Sequence, residues 1–397
     1  MIGKGHAMLG LLRRLTFPAL AFMALIVAFS LSGCGDRSDP AESIGRPMPI
    51  RDDYDARLGS DGNNLWLART SKIGKELKTS VFEFRDEAWK ALPGAGLSSQ
   101  DSPLQLVPLN TAPGRSPLPC LGDSAPDGEA RLRCLQAGKW KGVKVPATFA
   151  GMGLADLKAT EGKGIALFSD TAPNASMYRL ARVTPQRIVP LGSPVKLRGQ
   201  VLGSLGESTS GSKDLIDVGF MGQTSNLRWV ATFHRGGGWS HTPLLTAAKS
   251  GSQLSGPVRT PDSLIMVTSE IHQGGPWLLS VFDYEHSRGW SKLEDEPLAD
   301  RGQSQGGTYA VGSDAWVIWN QMKFNDVDKD GLAPTKIKTA RIGTDGQLSS
   351  TTILWRGRTL VPANTQVVEF KGKPVFLFFS QTNPKSGMNA TVKFSSS

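Results

Sequence analysis

Long apolar segments and clusters of cysteine or histidine are missing from this chain of 397 residues. No apolar run of about 18 residues occurs after residue 33, which excludes a protein with several membrane-spanning helices. The three cysteines and five histidines form no cluster with the spacing of a zinc site. The 45 glycines and 25 prolines interrupt the chain too often for a long helical bundle or coiled coil.

The motifs of several enzyme classes are missing as well. There is no Gly-x-Ser-x-Gly sequence for a nucleophile. Segment 203–211 (GSLGESTSG) is a polar loop that lacks the lysine of a phosphate-binding loop. No nucleic-acid-binding motif occurs, so we expect no nucleic-acid partner. These absences favour a binding or structural role over the commonest forms of catalysis.

Charge of one sign never accumulates into a block of five residues, although the chain has 45 Lys and Arg against 35 Asp and Glu. Three of the basic residues and none of the acidic ones precede residue 34, which leaves 42 against 35 and a net charge of +7. So modest an excess predicts an ordinary solvated surface. The functional alternative is a weak attraction to anionic lipid headgroups or envelope polymers.

The N-terminus has the pattern of a secretory signal. Lys4, Arg13 and Arg14 precede the apolar residues 15–31, and small residues follow. The sequence Leu31-Ser32-Gly33-Cys34 resembles the lipobox of bacterial lipoproteins. The resemblance implies that residues 1–33 are removed and that Cys34 is lipidated, so that acyl chains anchor the protein to the inner or outer membrane of a bacterial cell envelope. The alternative is a single-span anchor. We interpret residues 34–45 as a flexible tether and residues 46–397 as one folded domain.

If Cys34 carries lipid, Cys120 and Cys134 remain, and an oxidising compartment favours a disulfide between them. The enclosed loop is short, so the chain-entropy model gives a stabilisation of about 3 kcal/mol.

The body of the chain repeats at intervals of 47 to 59 residues. Short apolar strands begin near Leu65, Leu118, Ile165, Leu215, Leu264, Trp316 and Val375. A second landmark, usually led by tryptophan, begins at Trp89, Trp140, Ile188, Trp239, Trp290 and Leu348. Each unit holds four short candidate strands joined by turn-forming residues. The pattern predicts an all-β fold, a β-propeller with seven four-stranded blades, although six or eight blades stay open.

The last unit predicts strands near residues 366–370, 374–380 and 389–394, and its fourth strand would begin just past the C-terminus. We therefore expect residues 48–51 to supply the missing outer strand, because closing the ring in this way removes an exposed sheet edge.

Asp326, Asp328, Asp330 and the following Gly331 form a short acidic loop. Carboxylates at alternate positions gather the hard oxygens that Ca²⁺ prefers, and the carbonyl of Leu332 could add a ligand. The loop resembles the calcium loops of EF-hand-like and integrin-type propeller repeats. It departs from them at Pro334 and Ile337, the latter standing where an acidic ligand would complete the shell. The sequence leaves two hypotheses open, a structural Ca²⁺ site and a plain acidic hairpin tip; it suggests no other cofactor.

These features predict a non-catalytic binding or scaffold platform that is anchored in the membrane and recognises a protein or an envelope polymer. The alternative is a glycan-acting hydrolase of the sialidase-like propeller type, for which Asp217 and Glu270 are the candidate carboxylates. The recurring tryptophans are best explained by packing between sheets, and carbohydrate stacking is their functional alternative. No catalytic residue is assigned.

Overall fold

The computed structural model describes residues 53–73, 76–92, 97–98, 105–112, 115–124, 129–160, 162–172, 175–211, 215–222, 227–234, 236–245, 256–271, 277–299, 306–323, 326–343, 348–359, 365–380 and 389–394. Contacts divide the chain into Met1–Pro40 and Ala41–Ser397, and every described residue belongs to the second unit. The predicted signal, Cys34, the tether and the closing strand at residues 48–51 lie outside the described residues. Within the described ranges, no helix is long and apolar enough to cross a membrane.

The second unit consists of seven β-sheets. Sheets 1 to 4 contain β1 (Asp53–Ser60), β2 (Leu65–Ile73), β3 (Glu76–Arg85), β4 (Ala88–Ala91) and β5 (Leu97–Ser98) in sheet 1; β6 (Gln105–Leu109), β7 (Leu118–Ser124), β8 (Ala130–Gln136) and β9 (Lys139–Gly142) in sheet 2; β10 (Gly153–Thr160), β11 (Lys163–Ala172), β12 (Ala175–Val183) and β13 (Ile188–Arg198) in sheet 3; and β14 (Val201–Leu205), β16 (Ile216–Gly222), β17 (Arg228–Phe233) and β18 (Trp239–His241) in sheet 4. A three-residue 3₁₀ helix at Ala147–Phe149 connects sheets 2 and 3.

Sheets 5 to 7 complete the series. They contain β15 (Glu207–Ser208), β19 (Val258–Arg259), β20 (Leu264–Ile271), β21 (Trp277–Glu285) and β22 (Gly289–Ala299) in sheet 5; β23 (Gly306–Val311), β24 (Asp314–Met322), β25 (Ala333–Ile342) and β26 (Thr352–Thr359) in sheet 6; and β27 (Thr365–Phe370), β28 (Lys373–Ser380) and β29 (Asn389–Phe394) in sheet 7. Neighbouring strands within each sheet pair antiparallel, including β5 with β3 in sheet 1, apart from the parallel pairing of β15 with β19.

The sheets form a ring because first strands of neighbouring sheets contact one another, as β1 does with β6, β6 with β10 and β23 with β27. The first and last sheets meet where the Gln366 amide bonds both the N–H and the carbonyl of Leu58, each at 2.8 Å. A parallel bridge between Gly62 and Phe370 adds a second link. The fold is a seven-bladed β-propeller, as the repeat predicted, with its first strands innermost.

Both sequence landmarks correspond to strands. The apolar landmarks mark the second strand of every sheet, and the tryptophan-led segments mark the fourth strands of sheets 1 to 5. The Leu348 landmark was wrong by four residues, because β26 begins at Thr352. Leu348 instead bridges to Ile342 and packs, partly buried, on the core between sheets 5 and 6. Its apolar side chain therefore reflects burial of a connection, not the start of a strand.

Each second strand is apolar on both faces because it packs against both neighbouring sheets. In β24, Val317 and Trp319 pack on sheet 5, whereas the intervening Ile318 packs on sheet 7. Burying an aliphatic side chain of this size contributes about 1.5–3 kcal/mol. The continuous apolar runs of the sequence therefore follow from the radial stacking of the sheets.

The predicted disulfide is confirmed. Cys120 on β7 lies directly opposite Cys134 on β8, with a Cα–Cα distance of 4.0 Å and a disulfide bond between the two sulfurs. Both residues are fully buried in the core between sheets 2 and 3. The bond joins the second and third strands of the proline-rich second unit.

The chain departs from a simple repeat between sheets 4 and 5. After β14 it turns at Gly206, and β15 then pairs with the first strand of sheet 5. Two close backbone approaches require glycine here: a Cβ on Gly256 would lie 2.1 Å from the Leu205 carbonyl oxygen, and one on Gly206 would lie 2.7 Å from that of Pro257. The sequence predicted only a polar loop at this place, and the crossing brings Glu207 among the inner strands.

Candidate functional site

Charged side chains from several sheets meet at the inner strands of the ring. Asp156 and Lys158 stand two residues apart on β10, so both side chains emerge on the same face of the strand. One Asp156 carboxylate oxygen accepts hydrogen bonds from the Leu205 amide (2.9 Å) and the Ser204 hydroxyl (3.0 Å). This carboxylate therefore joins sheet 3 to sheet 4.

Glu207, on β15, forms the second part of this group. One of its carboxylate oxygens lies 2.5 Å from the Lys158 ammonium nitrogen, and the other accepts a hydrogen bond of 2.8 Å from the Ala310 amide of sheet 6. The Lys158 and Glu207 side chains are 29% and 22% exposed. A single glutamate thus links sheets 3, 5 and 6 across the middle of the ring. We call Asp156, Lys158, Glu207 and Tyr309 the inner polar cluster.

Tyr309 completes the inner polar cluster from β23. Its hydroxyl donates a hydrogen bond of 2.5 Å to the Thr365 carbonyl of sheet 7, and its ring centroid lies 5.8 Å from the Lys158 nitrogen. Burial raises the pKa of Tyr309 to about 12, and the Glu207 carboxylate acts in the same direction. Tyr309 is therefore a neutral hydrogen-bond donor at physiological pH and not an activated nucleophile.

The electrostatics of Lys158 show that its positive charge is compensated by the carboxylates around it. Burial opposes the charge of the ammonium group, but the carboxylates of Glu207 and Asp156 outweigh burial and raise the pKa of Lys158 above its usual value. The ion pair consequently contributes stability below pH 10.5 that is lost as the pH rises further. Chemically, the inner polar cluster can hold sheets together and present a neutral phenol. Its carboxylates are already bonded to neighbouring sheets.

The two carboxylates considered for glycan hydrolysis lie in different settings. Asp217, on β16, receives a bidentate pair of hydrogen bonds from Arg259 at 2.6 and 2.7 Å. The Thr232 hydroxyl donates a further bond of 2.6 Å to the same carboxylate, whose side chain is 1% exposed. Glu270 lies on β20, where its backbone is paired with Leu278. Asp217 therefore carries a buried structural ion pair between sheets 4 and 5.

The acidic loop predicted to bind calcium lies between β24 and β25 and is held by an arginine from the fourth strand. One Asp328 oxygen accepts the amides of Asp330 (3.0 Å) and Leu332 (2.9 Å), and the other accepts Arg358 Nε at 2.9 Å. The Arg358 guanidinium also donates to the carbonyls of Asp326 and Leu332. These amides, together with Arg358, hold the pKa of Asp328 below its usual value.

Arg358 thus contacts oxygens that the calcium hypothesis assigned to the ion. In the described part of the chain, no three His, Cys, Asp or Glu side chains are grouped closely enough to hold a metal. A direct titration decides between calcium binding by Asp326, Asp328, Asp330 and Leu332 and a plain acidic hairpin tip.

The recurring tryptophans pack between sheets. The indole N–H of Trp239 donates to the Ser193 carbonyl of sheet 3 at 3.0 Å, and that of Trp290 donates to the Pro243 carbonyl after β18 at 2.9 Å. Trp89 and Trp140 pack, partly buried, against cores shared with the preceding sheet of the ring. Their equivalent positions favour a packing role over carbohydrate stacking.

Sequence reasoning missed the inner polar cluster. A signal existed, because the first strands of units 1 and 3 both contain an acid and a base two residues apart, Asp55 with Arg57 and Asp156 with Lys158. Like Asp156 and Lys158, Asp55 and Arg57 lie on an innermost strand, where they form an ion pair of 2.8 Å. Nothing local in segment 203–211 indicates that Glu207 crosses to sheet 5.

These features define the class of protein as a seven-bladed β-propeller with polar contacts between the sheets at its inner strands. No protein-family model matches the sequence, and no curated protein matches it. Among solved structures, the chain is similar to the polysaccharide lyase Uly1, with a TM-score of 0.50, 9% identity and coverage of 92% of this chain and 94% of that one. It is also similar to YCF48 bound to D1 peptide (TM-score 0.48, 11% identity, coverage 91% and 97%) and to a lectin of Aleuria aurantia in complex with Fucα1-6GlcNAc (0.44, 9%, 79% and 97%). At these identities the likeness shows the fold alone.

Proposed function

We propose that this protein is a lipid-anchored component of a bacterial cell envelope, and that its β-propeller acts as a non-catalytic binding platform for a protein or an envelope polymer. The anchoring part rests on the sequence before residue 35, where a basic and apolar segment ends in Leu31-Ser32-Gly33-Cys34. Several acyl chains would give durable attachment to a membrane. The platform part rests on the described body.

One observation carries the non-catalytic assignment: the carboxylates of Asp156, Glu207 and Asp217 are all bonded across sheet boundaries. Asp156 accepts from sheet 4, Glu207 joins Lys158 to sheet 6, and Asp217 is bound by Arg259. Glycoside hydrolysis needs two carboxylates that face a sugar, one as an acid and one as a base or nucleophile. Carboxylates that already hold the sheets together are poorly suited to that task.

A rigid ring suits recognition because it holds its connecting loops in fixed positions. The Cys120–Cys134 bond, the Gln366–Leu58 contacts and the inner polar cluster each limit movement between strands or sheets. Little conformational entropy is then lost when a partner binds. This is the physical advantage of a propeller that serves as a platform.

The anchor and the platform are tested in the same cells. Cells that express the full chain are labelled with radioactive palmitate, and Cys34→Ser serves as the matched control. We expect label and membrane fractionation in the original chain only. Proteins cross-linked to the full chain are then purified from solubilised membranes and identified. Label that persists in the Cys34→Ser chain would contradict the anchor.

The platform is tested separately with the chain from residue 41 onward, the compact unit that contains all described strands. We expect this protein to bind an envelope fraction without releasing sugar fragments from it. Release of fragments that is lost in Glu207→Gln would overturn the platform and favour the hydrolase.

A further inference from the structure

Two neighbouring sheets of this protein carry a large excess of positive charge. Residues 105–198, which form sheets 2 and 3, contain 13 Lys and Arg against 6 Asp and Glu. The difference of +7 equals the net charge of the whole chain after residue 33. The remainder of that chain contains 29 basic and 29 acidic residues and is therefore neutral.

Six of the thirteen basic residues of these two sheets lie in or beside their outer strands. β9 and β13 are the outer strands of sheets 2 and 3. Segments 139–144 and 187–198 contain these strands and have no acidic residue. We define the basic rim as the six exposed side chains of these segments, Lys139, Lys141, Lys144, Arg187, Lys196 and Arg198.

The strand pairing places several of these side chains beside one seam. Lys139 is paired with Gln136, whose amide donates to the Pro185 carbonyl of sheet 3 at 2.8 Å. Lys141 is paired with Cys134, which packs in the core between sheets 2 and 3. Lys196, from sheet 3, is paired with Met177, which packs on the same core. All three lysines therefore border the boundary between sheets 2 and 3.

Two of the six acidic residues of the same sheets are held away from the rim. Asp123 is buried and bound to Arg131 and Arg133 at 3.0 and 2.9 Å, and Asp156 is buried at the inner strands. By contrast, the outer strand of sheet 5 contains Glu294, Asp295 and Glu296. The basic rim is therefore a basic side of the ring, and a partner of opposite charge would be attracted to it.

We propose that the basic rim binds an anionic lipid surface, the headgroups of the membrane that holds the lipidated Cys34. The inference rests on the lipid anchor proposed above. Basic side chains close to an anionic leaflet each add attraction, which decays over a Debye length of about 10 Å. Because segments 139–144 and 187–198 contain no acidic residue, the rim gives the sheets a defined side for this contact.

The length of the tether permits the contact. Eighteen residues, 35–52, lie between Cys34 and the start of β1 at Asp53, and an extended chain of that length spans at most about 65 Å. A folded unit of this size has a radius of gyration of about 20 Å. The rim can therefore reach the membrane, and the propeller would rest on its edge with both ends of the ring open to a partner.

The test uses the unit from residue 41 onward, which lacks the lipid-acceptor cysteine. Co-sedimentation is measured with phosphatidylcholine vesicles and with vesicles that also contain about 30 mol% phosphatidylglycerol. One variant combines Lys139→Glu, Lys141→Glu, Lys196→Glu and Arg198→Glu. The matched control combines Lys323→Glu, Lys329→Glu, Arg356→Glu and Lys373→Glu, four exposed residues of sheets 6 and 7. The two variants have the same net charge.

We expect binding to the anionic vesicles that falls at least about tenfold in the rim variant and much less in the control, with loss in about 0.5 M NaCl. Equal loss in both variants would show that net charge alone acts and would overturn the assignment to the rim. Equal binding to both vesicle types, or binding to an anionic polysaccharide in place of vesicles, would overturn the lipid surface as partner. Because Cys34 is absent, none of these outcomes alters the palmitate test of the anchor.

Discussion

The centre and the rim of the propeller use the same charged residue types in opposite ways. At the centre, Lys158 is bonded to Glu207 and Asp217 is bonded to Arg259, each between sheets. At the basic rim, lysines and arginines stand exposed on strands that contain no acidic residue. At the centre the charges are paired with one another and hold the sheets together, whereas at the rim they are exposed and can contact a partner.

The difference teaches that burial, more than residue type, decides what a charge does in this fold. Removing one member of a buried ion pair leaves the other uncompensated in a poorly solvated place. Removing an exposed charge changes the surface potential with little effect on folding. Substitutions at the two places should therefore separate stability from binding.

The largest effect is expected at Asp217. Asp217→Ala should lower the free energy of unfolding by about 3–5 kcal/mol, because the Arg259 guanidinium loses its bidentate partner between sheets 4 and 5. Urea denaturation followed by tryptophan fluorescence measures the loss. At the rim, Lys196→Ala should change the free energy of unfolding by less than about 0.5 kcal/mol.

A double variant makes this comparison sharper. Combining Asp217→Ala with Arg259→Met removes both charges, so most of the lost stability should return. A double variant no more stable than Asp217→Ala would show that the cost lies in packing and not in the unpaired charge. A change below about 1 kcal/mol in Asp217→Ala would contradict the structural role of the pair.

A smaller, pH-dependent effect is expected at Tyr309. Its pKa is about 12 in the folded protein, above the ordinary value of 10.0. The unfolded chain then loses this proton first, so stability falls as the pH rises from 10 towards 12, by up to about 1.4 kcal/mol per pH unit. Tyr309→Phe should cost about 1 kcal/mol at neutral pH through the lost bond to Thr365. The difference in the free energy of unfolding between the original protein and Tyr309→Phe should become smaller above pH 10.

Absorbance titration supplies the check. Subtracting the tyrosinate signal of Tyr309→Phe from that of the original protein isolates Tyr309, and the midpoint should lie near 12. A midpoint close to 10 would mean that this phenol is well solvated, and the centre would then resemble the rim.

The sequence predicted the fold well because the radial packing of the sheets produces a regular repeat of apolar segments along the chain. Every second strand is buried on both faces, so its apolar run recurs at the blade interval, and the fourth strands carry the tryptophans that reach back to the preceding sheet. The pairing of Cys120 with Cys134 was predicted separately, from the two cysteines that remain in an oxidising compartment, and the structure adds their register. The Leu348 landmark failed because a buried connection is as apolar as a strand.

The inner polar cluster was far less predictable, because its members come from separate blades. Lys158 and Glu207 are 49 residues apart, and Glu207 and Ala310 are 103 residues apart. Their contact depends on the crossing of β15 into sheet 5, which Gly206 and Gly256 permit. A glycine in a polar loop indicates a turn but not the strand that the chain reaches after it.

The smallest effect is expected at the acidic loop, the place where an outer strand does supply a bonded charge. Arg358 donates to Asp328 and to the Asp326 and Leu332 carbonyls, so we expect isothermal titration of the unit from residue 41 with Ca²⁺ to give no heat. Because the pKa of Asp328 is lowered, the ionised Asp328 carboxylate stabilises the folded loop above pH 3.8, and this stabilisation is lost as the pH falls below that value. Arg358→Ala should therefore reduce resistance to proteolysis in this loop at neutral pH, whereas Arg356→Ala, on the same strand, should not. Heat with Ca²⁺ in the original protein that disappears in Asp328→Ala would instead establish the metal site, because a cation would then have displaced the guanidinium from the same oxygens.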